Sequence, residues 1–122
     1  MSQHFHAHVY FTDELKTFAE ELYSKLGISF SASEVRTHGL RYTPVGPHPL
    51  PMFELNFFVE QKVKLVSWLE KERGGLSVLI HEDTGDDERD HSTNVQWLGK
   101  ELPVDFTFFE KIKSRPDLKI HQ

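Results

Sequence analysis

Two amphipathic segments of helical period, each stopped by glycine and flanked by strand-like runs, constrain this chain's architecture most. In "TDELKTFAEELYSKLG" (12–27), Leu15, Phe18, Leu22 and Leu26 form one apolar stripe, with Thr12 as expected N-cap and Gly27 as expected stop. In "EQKVKLVSWLEKERGG" (60–75), Val63, Val66 and Leu69 mark the buried face, and Gly74 and Gly75 end it. Strand character precedes and follows each helix: "HFHAHVYF" (4–11), "ISFSASEVRT" (28–37), "MFELNFFV" (52–59) and "LSVLIH" (76–81). Between the halves, "HGLRYTPVGPHPLP" (38–51) carries four prolines and two glycines and reads as a connection. The doubled β-α-β order predicts an α+β, ferredoxin-like βαββαβ sandwich with a four-stranded antiparallel sheet. Helices 13–26 and 61–73 should share one face, and a C-terminal arm follows Glu82. One domain over 1–122 is expected from the length.

The first strand then raises a chemical question. Phe5, Ala7, Val9 and Phe11 occupy one parity and read as core, while His4, His6, His8 and Tyr10 share the other. In this fold the first strand lies between the third and the fourth. On the fourth, Val78 and Ile80 are expected in the core and His81 on the open face. Antiparallel pairing then brings His81 to His6, with His8 one pleat away. On the third strand, Glu54 should face the histidine side, nearer Tyr10. Imidazoles on adjacent strands with carboxylates nearby suit a first-row divalent cation such as iron, zinc, nickel or manganese. Alternating histidines also arise as surface residues or in subunit interfaces, so the pattern alone leaves both readings open.

Other histidines sit in distinct settings. His48 is stiffened by prolines in "VGPHPLP", and His91, in "DDERDHSTN", can fold back over the His81 end. His4 and His38 read as surface residues and His121 as tail. Trp68 and Trp97 read as packing residues.

Composition excludes other chemistries. Cysteine is absent, which removes thiolate nucleophiles and sulfur ligands, so any metal is held by nitrogen and oxygen. A net charge of −5 without a basic patch speaks against nucleic-acid binding. No apolar run approaches the roughly 20 residues that span a bilayer. Lacking a basic-then-apolar leader, the chain is expected in the cytoplasm. "EDTGDDERD" does not fit the EF-hand loop. No P-loop, GxSxG, GxGxxG or HExxH motif occurs.

Five short motifs occur in order: "HxHVYF" at 6–11, "GPHP" at 46–49 followed by "FE" at 53–54, "RGGLSVLIH" at 73–81, "DH" at 90–91 and "WLGKELPVD" at 97–105. Together they resemble the DOPA 4,5-dioxygenase family of small fungal and bacterial proteins. The resemblance implies a ferredoxin-like homodimer that cleaves a catechol such as DOPA in extradiol fashion with O2 and a non-haem metal, Fe(II). Its motif histidines correspond to His6, His8, His48, His81 and His91. The resemblance names the five without dividing them; strand geometry assigns His6, His8 and His81 to the metal, which leaves His48 and His91 to proton transfer. Glu54 is a reserve carboxylate, and Tyr10 and Phe58 are expected to line an aromatic slot for the ring. The rival expectations are a zinc enzyme of another reaction class and a non-catalytic ligand-binding or partner-interface module.

Overall fold

The computed structural model describes residues 3–92 and 95–108. Its elements are β1 (His4–Tyr10), α1 (Lys16–Ser29), β2 (Arg36–Arg41), β3 (Met52–Phe58), α2 (Lys62–Glu72), β4 (Ser77–Glu82), a short α3 (Asp87–Asp90) and β5 (Gln96–Leu98). The strands form one sheet in the order β2-β3-β1-β4-β5, and every pairing is antiparallel. The βαββαβ order and the two-helix layer are as expected. The sheet has five strands rather than four, because Gln96–Leu98 of the arm adds to the free edge of β4.

One face of the sheet carries the main core. Phe5, Ala7 and Val9 of β1, Phe53, Leu55 and Phe57 of β3, and Val78 and Ile80 of β4 are buried against Ala19, Leu22 and Leu26 of α1 and Leu65 and Leu69 of α2. Each of the larger side chains among them, Val, Leu, Ile or Phe, contributes about 1.5–3 kcal/mol on leaving water.

Both helix stripes shift from expectation. Gly27 does not stop α1, which runs on to Ser29. Its extra turn turns Ile28 to solvent and delivers Phe30 to the core, edge-on to Trp68. That burial outweighs the roughly 1 kcal/mol cost of a mid-helix glycine. In α2 the buried pair is Leu65 and Leu69, spaced i,i+4, whereas Val63 is 81% exposed. Gly74 ends α2 as expected, at φ +56° with the Phe18 ring against its α-carbon. The second strand lies later than its apolar letters suggest. It spans Arg36–Arg41, sharing only Arg36 and Thr37 with the stretch read as strand and running on into the one read as a connection, and its pairing with β3 shifts register between His38 and Arg41.

The opposite sheet face is closed by the chain itself. Tyr10, Met52 and Leu79 are buried beneath Leu50, Val95, Trp97, Leu102 and Val104. The arm is pinned there by the Asp105 N–H, which donates to the Pro47 carbonyl at 2.7 Å. Tyr10 is 1% exposed beneath this cover, whereas Phe58 and Phe106 remain exposed. Phe109 and His121 lie outside the described residues. No helix among the described residues is long and apolar enough to cross a membrane.

Candidate metal centre

β1 is hydrogen-bonded on both edges, which fixes its side-chain register against two neighbours. His6 lies opposite His81 on β4 and Asn56 on β3, and His8 lies opposite Leu79 and Glu54. The His6–His81 pairing is as expected. Glu54 is displaced from expectation, because it sits across from His8 rather than towards Tyr10.

Two loops complete the group. In the 45–48 turn the His48 N–H donates to the Val45 carbonyl, and His48 packs over His8 with ring centroids 4.3 Å apart. His91 follows α3 and lies 4.4 Å from the His81 ring and 5.2 Å from His48. Asp90 holds this loop, accepting from the Thr84 N–H at 2.8 Å and the Thr84 hydroxyl at 2.5 Å. An acidic run had hidden this buried carboxylate, although its place in "DH" marked it. His6, His8, His48, His81 and His91 are all buried.

Hydrogen bonds orient the rings. His81 Nδ1 lies 3.0 Å from the Glu82 carbonyl, which can only accept, so Nδ1 carries the proton and Nε2 holds a lone pair. That Nε2 is 2.9 Å from His8 Nε2. The Tyr10 hydroxyl and His48 Nδ1 share a 2.7 Å hydrogen bond, which leaves His48 Nε2 on the side remote from Tyr10. His8 Nδ1 is buried without a hydrogen-bond partner, with a Glu54 oxygen 3.7 Å away.

Burial dominates the protonation states. It pushes His81 down to about 3, with His91 adding to the effect, and it holds His8 well below its usual range, reinforced by the imidazoles of His48, His81, His91 and His6. Burial raises Glu54 to about 7, opposed by its bond from Asn56. Tyr10 is pushed upward by burial and stays a phenol.

These shifts set the acid sensitivity of metal-free protein. The lowered histidines contribute stability that is whole above the unfolded value of 6.5 and is lost as pH falls below it. Raised Glu54 acts oppositely, and its contribution is lost as pH rises from 4.5 through 7. Between pH 6.5 and 4.5 the two buried histidines lose stability while Glu54 returns some, and His38, lowered by its partial burial, adds to the loss, so the histidines outweigh the one carboxyl. Urea midpoints in the presence of chelator should fall steadily over that window. A midpoint higher at pH 5 than at pH 7 would contradict these shifts.

The donor set fits a first-row divalent cation. Neutral imidazole is the ligating form, and two nitrogens at right angles on a cation, each bonded at about 2.1 Å, are about 3 Å apart, matching the His8–His81 separation. Two overlapping triads are close enough to share an ion, His6–His8–His81 and His8–His48–His91, and His8 belongs to both. With both Nε2 lone pairs turned to a cation, the His8 proton moves to Nδ1 beside Glu54, an outer carboxylate that would hold the ring.

Not every candidate converges. Phe58 is 51% exposed beside His4, at the far end of β1 from Tyr10, so these two rings do not form one slot. Trp97, read from sequence as packing alone, stacks on Tyr10 with centroids 5.9 Å apart. It also lines an apolar cleft of about 620 Å³ that reaches His91 and includes Leu102, Val104 and Phe106. On the other side, a polar cleft of about 290 Å³ reaches His6 and Glu54 past His38, Arg41 and Asn56. His38 is not a bystander on the surface: Asn56 bonds its ring and Glu54 lies 3.7 Å away.

The model of the Dopa 4,5-dioxygenase family matches residues 5–108. The chain belongs to that family. It is 35% identical to an "Uncharacterized 21.2 kDa protein" of Botryotinia fuckeliana, over 91% of this chain and 66% of that one. A DOPA 4,5-dioxygenase of Amanita muscaria is 36% identical over half of this chain and 27% of its own length. The chain thus spans less than two thirds of either curated relative. Among solved structures, a "putative dioxygenase" of Nostoc punctiforme is 36% identical with a TM-score of 0.83, covering 91% of this chain and 94% of that one. The family match covers all five clustered histidines.

Proposed function

We propose that this chain is a non-haem Fe(II) extradiol dioxygenase that opens a catechol ring and places both atoms of O2 in the product. The carrying observation is the buried group of imidazoles around His8, with the His8 and His81 Nε2 atoms 2.9 Å apart and burial keeping those two rings neutral. Membership of the family and the dioxygenase titles of two relatives support the reaction class. His6, His8 and His81 hold the metal in this reading. When bound, Fe(II) supplies the positions at which the catechol oxygens and O2 meet.

The chain's own groups do the rest. The apolar cleft beside His91 admits the ring, with Trp97 and Phe106 as its aromatic walls. His91 lines that cleft, and His48, steadied by Tyr10, packs 5.2 Å from the His91 ring; this pair takes a catechol proton and returns it to a product oxygen. Burial keeps bulk water from the histidines, which strengthens each of these contacts.

The test is anaerobic loading with Fe(II), followed by oxygen-electrode and absorbance assays against a panel of catechols. One O2 should be consumed per catechol, with a new visible absorbance from the ring-opened product. Protein that holds one Fe(II) tightly yet consumes no O2 with any catechol would overturn the reading. Activity with zinc alone, on a substrate of another class, would do so as well.

A further inference from the structure

A third cluster lies outside the buried group. His4 and His6 project from the same face of β1, and Asp83 follows the end of β4. The backbone sets these positions, since the Asp83 N–H donates to the His4 carbonyl at 2.8 Å and Phe5 pairs with Glu82. Asp83 uses its two oxygens differently. Oδ1 accepts from the Gly85 N–H, whereas Oδ2 lies 3.4 Å from His4 Nδ1 and 3.3 Å from His6 Nε2.

Those separations are long for hydrogen bonds, whose N···O distances run about 2.7–3.2 Å. They match the edge of a tetrahedron around a cation. Four ligands bonded at about 2.0–2.1 Å stand roughly 3.3–3.4 Å from one another. All three donor atoms lie within 4.8 Å of each other. His4, His6 and Asp83 all line the polar cleft that also takes in His38, Arg41, Glu54 and Asn56, from which water or a ligand oxygen can complete the shell. We infer that His4, His6 and Asp83 form a second, outer site for a divalent cation of borderline softness, such as Zn(II) or Co(II).

Two imidazoles and one carboxylate are a donor set that such cations favour. The half-exposed His4 and Asp83 make the outer site the weaker of the two. His6 is common to the outer site and to one inner triad, whereas the triad of His8, His48 and His91 shares nothing with the outer site. A cation outside takes the His6 Nε2 that faces Asp83, and the inner ion is then held by His8 and His81. The outer site stands on its own geometry and does not depend on the reaction proposed for the inner one.

Metal-stripped protein titrated with Zn(II) in equilibrium dialysis, and with Co(II) followed by visible absorbance, tests this. Wild type should bind two equivalents, the second with the intense bands of four-coordinate cobalt. His4→Ala and Asp83→Asn should keep the first equivalent and weaken the second at least tenfold. His8→Ala should lose the tight equivalent and keep the outer one. Saturation of wild type at one equivalent, or an unchanged second equivalent in both His4→Ala and Asp83→Asn, would overturn the outer site and leave His4 and Asp83 as an ion pair. Two equivalents retained in His8→Ala would instead overturn the inner centre and uphold the outer one.

Discussion

His8→Ala is expected to lose tightly bound metal and ring-cleaving turnover together while remaining folded. His8 is the one residue present in both inner triads, so no rearrangement among the neighbouring histidines replaces it. Affinity for Fe(II) should fall by more than the 10–100-fold typical of outer-shell losses. The core parity of β1, Phe5, Ala7 and Val9, is untouched. The structural cost lies on the histidine face: His81 Nε2 loses its partner at 2.9 Å, a penalty of about 1–3 kcal/mol, and a cavity opens among the rings of Tyr10, His48, His81 and His91. His48→Ala makes the contrast: it should retain the metal and lose about 10²–10⁴ in turnover, as befits a proton-transfer group. Metal content, thermal midpoint and O2 uptake measured side by side separate these outcomes. Full metal and full activity in His8→Ala would reduce the histidine group to packing.

Phe53→Ala should instead cost the fold about 3–5 kcal/mol, a large part of the 5–15 kcal/mol typical of a domain. Phe53 is wholly buried on the helix side of β3, edge-on to Tyr23 at 5.2 Å, and deleting its ring leaves a cavity between sheet and α1. The adjacent Glu54→Gln keeps size and hydrogen-bonding capacity on the opposite face. It should change stability by less than about 1 kcal/mol, because a glutamate raised to about 7 already spends much of its time protonated near neutrality. Denaturant titration of both variants checks the contrast. A Phe53→Ala midpoint near wild type would mean that the core can close over the gap.

Strand parity explains what sequence made legible. Alternation in 4–11 and 76–81 placed His6, His8 and His81 on one face, and antiparallel order brought His6 to His81. Residues held by loops were harder to place. His48 and His91 had identifiable surroundings, but only three-dimensional closure shows that they meet over His8. Glu54 had the right face and the wrong partner, since parity fixes a side and not a register. Trp97 reads from sequence as packing alone because its strand is three residues long and forms only on the edge that β4 offers. The helix at 16–29 overran Gly27 because a local stop signal lost to the burial of Phe30. For β2, the apolar letters Phe30 and Val35 belonged to a loop that plugs the core, while the strand itself is polar.

The double pairing of β1 separates the permanence of the donor groups from access to them. Its amides are bonded to β3 on one edge and β4 on the other, so hydrogen exchange along 4–10 should require global unfolding. The cover over the other sheet face is much slighter: a three-residue strand on an outer edge and an arm tied through Asp105 to Pro47. Deuterium should enter this arm through local openings long before it reaches His8. The donor backbone then stays fixed through many openings of its cover, and reactants can come and go without the centre being rebuilt on each visit.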